Sequence, residues 1–329
     1  MRPRHLSRRG LLAGGAAALT ACSASGPAQP PAPAPDSPET VLVKKLIAEK
    51  EQTIALYSAL IADGGERLAP FRDRHQAHVN ELRKHVTGPI TAGPSGSPAP
   101  SGSPAPSGSA EPRKPSLSRL RELERKAAAL RPKQLAAVSP GMAQLIAGIG
   151  ACEAAHAVAL GGPAEGRPAE VAVNGVAVNG DDLEKLRKAL AAEHAALFAY
   201  GLLGARTSGA LRERMSAAYD AHRARRDQVR ALITARGGKP VEAEASYALP
   251  FFPSDAKLAA RLAAHLEGGV TAAYLELVAA GDAGLRRFAA LAMQEAVTRS
   301  YAFRPAQPAA FPGMPAPPAP ATPAAQGGN

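Results

Sequence analysis

The chain of 329 residues is defined first by what it has little of. It contains no tryptophan, and aromatic residues make up 4 % of it, so the aromatic-rich core of a sheet sandwich is out of reach. Its two cysteines, Cys22 and Cys152, are too few for a disulfide framework or a CxxC motif. Nowhere is a Lys/Arg run interleaved with aromatics, which argues against a nucleic-acid surface. No glycine-rich loop follows a strand and no nucleophile sits in a strand-turn setting. After the N-terminus no apolar run is expected to reach the ~18 residues that would cross a bilayer.

What the chain does have is alanine. Hydrophobic residues make up 46 %, and with so few aromatics this composition favours close-packed helices, an all-α protein. Glycine and proline, 31 of each, are bunched into stretches with no core-forming residues. The ordered part is therefore shorter than the chain.

The N-terminus reads as an address. Ser7-Arg8-Arg9-Gly10-Leu11-Leu12 leads into a short, weakly apolar run and then Leu19-Thr20-Ala21-Cys22. Together these resemble a twin-arginine (Tat) signal, with Arg8 and Arg9 as its pair, ending in a lipobox. The resemblance implies removal of residues 1–21 and a diacylglyceryl anchor on Cys22, so the expected partner is membrane lipid on the outer face of the cell membrane. Losing Arg2, Arg4, Arg8 and Arg9 takes the formal net charge from +11 to +7, a balance suited to an anionic membrane surface. With Cys22 lipidated, Cys152 has no disulfide partner and reads as a small buried apolar residue or a thiol.

Composition divides the rest. Residues 22–38 are a proline-rich tether. A first set of four helices spans 39–160, with a low-complexity insert at 87–115 that carries PSGSPA twice. A linker at 161–180 ends in VAVNGVAVNG and is compatible with a small hairpin. A second set of four spans 181–304, and 305–329 is a Pro/Ala-rich tail read as loose. Within the sets, Ser37-Pro38 and Ser139-Pro140 look like helix starts, Asp181-x-x-Glu184 resembles a capping box, and Pro132 marks a break. One stripe runs through Leu68, Phe71, His75, Val79 and Leu82, another through Leu211, Met215, Ala218, His222 and Val229, which turns His75 and His222 inward.

The two sets repeat one another. Asp73-Arg74-His75 aligns with Asp220-Ala221-His222, Leu123-Glu124 with Leu266-Glu267, and Cys152-Glu153 with Gln294-Glu295, so we read a duplicated domain. Between the second and third helices of each set lies a long connection. The later one, Gly237 to Pro253, is 17 residues and extends ~55 Å, enough to return along a bundle ~30 Å long. Such a crossover is the mark of a ferritin-like bundle. Both halves resemble ferritin-like four-helix domains. The second half is similar to a function-unknown ferritin-like family of high-GC bacteria, through AAEHAALFAYG (191–201), AHRARRD (221–227), YALPFF (247–252) and AFPGMP (310–315).

That resemblance implies a two-iron site, with a Glu from each of two helices and Glu-x-x-His from the other two. The matching positions are only partly filled. In the second half Glu193, Glu267, Glu295 and His222 are present, each carboxylate of the pair Glu193 and Glu267 preceding a tyrosine by seven, but Tyr219 and Thr298 stand where a Glu and a His are expected. In the first half Glu124, Glu153, His156 and His75 are present, with Lys50 opposite Glu193 and Arg72 in place of the other Glu. Glu153-Ala-Ala-His156 can thus be half of a metal site, for iron or manganese, or a set of buried charges neutralised without an ion. For the second alternative the candidate cations are Arg225 or Arg226, Lys50 and Arg72. The reading from sequence is a lipid-anchored envelope protein, a non-enzymatic binding or interaction module with degenerate ferritin-like domains. The alternatives are a metal-dependent oxidase or iron-handling protein, and more remotely a carrier of lipid or another hydrophobe.

Overall fold

The computed structural model describes residues 35–86, 115–162, 180–306 and 308–315. The leader with Arg8 and Arg9, the lipidation residue Cys22, nearly all of the tether, of the insert and of the linker, with its candidate hairpin, and the chain from 316 onward lie outside the described residues.

The described residues are all-α, with no strand among them. Helix α1 (Pro38–Ala62) begins at Ser37, whose hydroxyl accepts the Thr40 N–H at 3.1 Å, with proline in the first turn. A 3₁₀ turn at Glu66–Leu68 leads into α2 (Ala69–Arg83). Ser116 caps α3 (Leu117–Leu130), and Pro132 draws the next residues, Arg131–Gln134, into a 3₁₀ turn before α4 (Pro140–Ala159). The second set is α5 (Gly180–Arg206), α6 (Gly209–Ala235), α7 (Ala256–Val278) and α8 (Ala283–Phe303). Asp255 and Asp282 cap the last two, each accepting a backbone N–H at 2.7 Å. A side-chain oxygen at these positions satisfies a donor that the first turn leaves unpaired. Asp181 and Glu184 do not form the expected capping box: α5 starts before them and they pair with Lys185 and Arg187, while Asp182 accepts from the Gly281 and Asp282 N–H groups and so ties the start of α5 to the α7–α8 turn.

Side-chain pairings fix the topology. Between α5 and α7, Glu193 meets Tyr274, Tyr200 meets Glu267 and Lys188 meets Glu276. One number rises as the other falls, so α5 and α7 are antiparallel neighbours. A two-residue turn also makes α6 antiparallel to α5, so α6 and α7 run parallel and the intervening chain, 236–255, returns the length of the bundle. In the first set Tyr57 meets Glu124 and Glu49 meets Arg131, which makes α1 and α3 antiparallel by the same rule.

Helix α4 is the hub. It packs on α3 within its own set and on α8 and α7 of the other, and it is apolar on nearly every side. It is long and apolar enough to cross a membrane, which corrects the expectation that no later run is long enough, but 78 % of its 18-residue apolar stretch is buried inside the protein. The two sets form one compact unit from Asp36 onward. Their seam is laced by side chains reaching backbone carbonyls: Gln144 to Leu275 at 3.0 Å, Gln294 to Ala128 at 2.9 Å, and Arg286 to Leu135 and Val138 at 2.9 and 2.6 Å. Close approach depends on Gly150, where a Cβ would lie 2.7 Å from the Arg131 Cβ and 3.1 Å from the Gln294 amide.

The tail reading also needs correction. Residues 308–315 are packed as a strap across both sets. Arg74 of α2 donates to the Pro308 carbonyl at 3.0 Å, and His78 of α2 to that of Ala310 at 2.7 Å. Phe311 packs on the His78 ring and lies against Gly148 of α4. Gly313, at φ +84°, passes so close to α7 that a Cβ would meet the Thr271 carbonyl at 3.1 Å, a conformation and a gap that favour glycine. Proline removes donors that would otherwise need partners, so a Pro/Ala-rich segment can lie against a protein surface with few hydrogen bonds.

Candidate functional site

Each set of helices aims polar side chains at its own axis. In the second, α5 supplies Glu193, α6 His222, α7 Glu267 and α8 Glu295, all buried. The His222 Nδ1 lies 2.7 Å from a Glu193 oxygen and Nε2 lies 3.1 Å from Glu267. A carboxylate only accepts, so both ring nitrogens carry protons and the ring is an imidazolium. Burial alone would lower its pKa, but the facing Glu267 and Glu193 outweigh burial and push it up to about 9. Two tyrosines complete a near-symmetric exchange between α5 and α7. Tyr200 donates to Glu267 and Tyr274 to Glu193, each at 2.7 Å. Burial and the adjacent carboxylates push both phenol pKa values well up, which keeps them as donors.

The remaining charge is cancelled by arginine. Arg225 donates to Glu295 at 2.5 Å, and Arg299 to Glu267 at 2.9 Å. Burial would raise the Glu267 pKa, but Arg299 and His222 pull it down to about 2. Three carboxylates thus face three cations. Arg226, the other candidate cation, turns outward to Asp227. Thr298, in the position of the missing histidine, gives its hydroxyl to the backbone carbonyl of Glu295.

The first set builds two clusters. One oxygen of Glu124 receives the Tyr57 hydroxyl at 2.6 Å, His75 Nε2 at 2.7 Å and His156 Nδ1 at 3.2 Å. Burial lowers the His75 pKa, so this ring is neutral and donates through Nε2, while its Nδ1 finds no partner among the described residues. Burial would lower His156 too, but the Cys152 sulfur, 3.4 Å from Nε2, and the Glu124 carboxylate hold it up at about 10. In the second cluster Glu153 is clamped by Lys50 and by Arg131, whose Nε and Nη2 each donate at 3.0 Å. Arg131 reaches on to Glu49 at 3.1 Å. Burial would raise the Glu153 pKa, and Arg131 with Lys50 reverses that and lowers it. Glu153 and His156, one turn apart, therefore serve different partners. Arg72, expected among the buried cations, pairs with its neighbour Asp73 at the surface with its side chain 36 % exposed, and a charge that reaches water needs no buried carboxylate.

A two-metal centre does not fit either set. In the second, His222 spends both nitrogens bridging the two carboxylates that would bridge the ions. In the first, Lys50 and Arg131 saturate Glu153. A single ion has a better claim in the first set, where ligand atoms of His75, Glu124 and His156 lie within 4.8 Å of one another, two imidazoles and a carboxylate being a donor set that suits iron, manganese or zinc. Such an ion would have to displace the proton held on His156.

Sequence reasoning missed Tyr57, Arg131 and Arg299. The first two carry a signal in the repeat. Tyr57 follows Lys50 by seven and Arg131 follows Glu124 by seven, the same spacing as the tyrosines after Glu193 and Glu267. Arg299 has only its place one turn after Glu295.

Residues 185–316 match the profile of a family described as a domain of unknown function, DUF4439. The C-terminal half is a DUF4439 domain. Its extent takes in nearly all of α5, the whole of α6–α8, and the strap. A similar solved structure is that of a conserved hypothetical protein, rv2844, from Mycobacterium tuberculosis, 34 % identical, covering 39 % of this chain and 98 % of that one with a TM-score of 0.38. No curated protein matches the chain. The first-half centre and the insert lie outside the DUF4439 domain.

Proposed function

We propose that this chain is a non-enzymatic binding or interaction module of the cell envelope, held to the outer face of the membrane by a lipid on Cys22. In this reading its two bundles are ferritin-like domains whose two-metal positions have been taken over by protein cations. The observation that carries it is the cation filling: an imidazolium at His222 between Glu193 and Glu267, and Lys50 with Arg131 on Glu153. Removing one member of such a buried set strands a charge, so the sets hold the helices in register whether or not they do chemistry. The competing reading, a metal-binding protein of oxidase or iron-handling type, is favoured by the convergence of His75, Glu124 and His156.

Metal analysis of protein purified without a histidine tag separates the two. The module reading expects well under one equivalent of iron, manganese or zinc, unchanged in Glu124→Gln. One equivalent in the wild type, lost in both Glu124→Gln and His75→Ala, would establish the metal reading instead. The anchor is tested by cell fractionation, in which Cys22→Ala moves the protein from the membrane to the soluble fraction. Retention on the membrane would remove the lipid from the proposal.

A further inference from the structure

Away from both polar centres, a pocket of about 480 Å³ opens where α7 and α8 meet the strap, with Ala155 of α4 at its edge. Its charge is one-sided. Arg261, His265 and Arg304 line it, and no acidic side chain does. None of the three side chains has a carboxylate or hydrogen-bond partner among the described residues. Arg261 instead rests on the ring of Phe251, 5.1 Å from the centroid, which fixes the direction of its guanidinium. Arg225, Arg230 and Arg299 elsewhere on the molecule are each paired with a carboxylate, whereas the two guanidiniums around this hollow face none. The other walls combine carbon, from Phe251, Ala264, Val297 and the strap prolines Pro308 and Pro312, with the hydroxyl-bearing residues Thr271, Ser300 and Tyr301. The volume falls within the ~300–1,000 Å³ of small-molecule sites.

We propose that this pocket binds an organic phosphate ester, its dianionic phosphate held by Arg261 and Arg304 with His265 and its carbon portion lying on the apolar walls. Two guanidiniums and an imidazole match a charge near −2 better than a single carboxylate, and guanidinium presents paired donors to phosphate oxygens. The strap forms part of the wall, so the site exists only where the chain beyond α8 has folded back. The proposal is independent of whether either polar centre takes a metal. Its phosphate has two sources, a soluble phosphorylated metabolite or the headgroup of an anionic phospholipid, and the chemistry at the arginines is common to both.

The test uses the full chain carrying Cys22→Ser, so that no attached lipid interferes. Phenyl phosphate, titrated calorimetrically, is expected to bind more tightly than inorganic phosphate. Arg261→Ala/Arg304→Ala is expected to weaken it at least tenfold, and both sites are exposed, so the fold survives. Arg223→Ala/Arg287→Ala removes the same charge elsewhere on the surface and is expected to leave binding unchanged. Sedimentation with phosphatidylglycerol vesicles against phosphatidylcholine vesicles decides the source. Dependence of vesicle binding on Arg261 and Arg304 assigns the lipid headgroup, and binding of phenyl phosphate without it assigns the soluble ester. The proposal fails if the wild type binds neither probe, if the pocket variant binds both as the wild type does, if the control variant weakens phenyl phosphate as much as the pocket variant does, or if phenyl phosphate binds no better than inorganic phosphate.

Discussion

At the scale of single residues the centres are sets in which every buried charge has an opposite. The consequence is an asymmetry between removing an acid and removing a base. Glu153→Ala leaves Lys50 and Arg131 buried without their carboxylate, and a stranded buried charge costs ~3–5 kcal/mol. Lys50→Met leaves Glu153 with both Arg131 donors and is expected to cost clearly less. Urea midpoints of the two variants check the order, and equal losses would mean that Arg131 does not hold Glu153 alone. Much of this was readable in advance. The inward stripes placed His75 and His222, and the repeat placed the carboxylates. What could not be read was which of two adjacent arginines faces in. Arg225 and Arg226 differ by ~100° of helix rotation, and both lie within a turn of His222. Packing, not spacing, chose Arg225. Arg131 was hidden for a different reason, since next to Pro132 it reads as a helix break and not as a ligand position.

At the scale of elements the decisive piece is α4. An amphipathic helix announces its buried face by periodicity, but α4 is buried nearly all round, so its sequence shows small and apolar residues without a stripe and says little about who its neighbours are. Its glycines record them. Intrinsic helix propensity favours alanine over glycine by ~1 kcal/mol, so Gly150→Ala on a free surface would stabilise. Here the added methyl meets the Arg131 Cβ at 2.7 Å, and overpacking of this kind costs ~1–3 kcal/mol. We expect a net loss of stability for Gly150→Ala. For Gly148→Ala, whose methyl would make only an ordinary 3.7 Å contact with Phe311, we expect neutrality or a gain. Thermal melts of the pair separate the contributions, and a stabilising Gly150→Ala would overturn the close approach. The strap was illegible on the same ground. It has neither helical nor strand period, and its Pro/Ala composition is that of a tether until Phe311 and Gly313 find α2, α4 and α7.

At the scale of the whole molecule the buried histidines set a pH optimum for stability. His222 has a folded pKa of about 9, above the ordinary imidazole value of 6.5, so its contribution is complete below pH 6.5 and is lost as pH rises through about 9. His78 is pushed well below 6.5, by burial first and then by nearby Lys50 and His75, so its contribution is present above pH 6.5 and is lost as pH falls through its lowered value. Glu267, at about 2 against an ordinary 4.5, adds a further loss on the acid side. For metal-free protein these signs predict greatest stability near pH 6.5, with lower urea midpoints at pH 9 and at pH 4. A midpoint that climbed steadily from pH 6.5 to pH 9 would show that His222 is not an imidazolium in the folded state.

The His78–Ala310 hydrogen bond joins positions 232 residues apart. A ribosome adding ~5–20 residues each second makes the donor roughly 10–50 s before the acceptor. The first helix set is thus closed by a segment made long after it, and a nascent chain interrupted before residue 310 would leave that ring waiting.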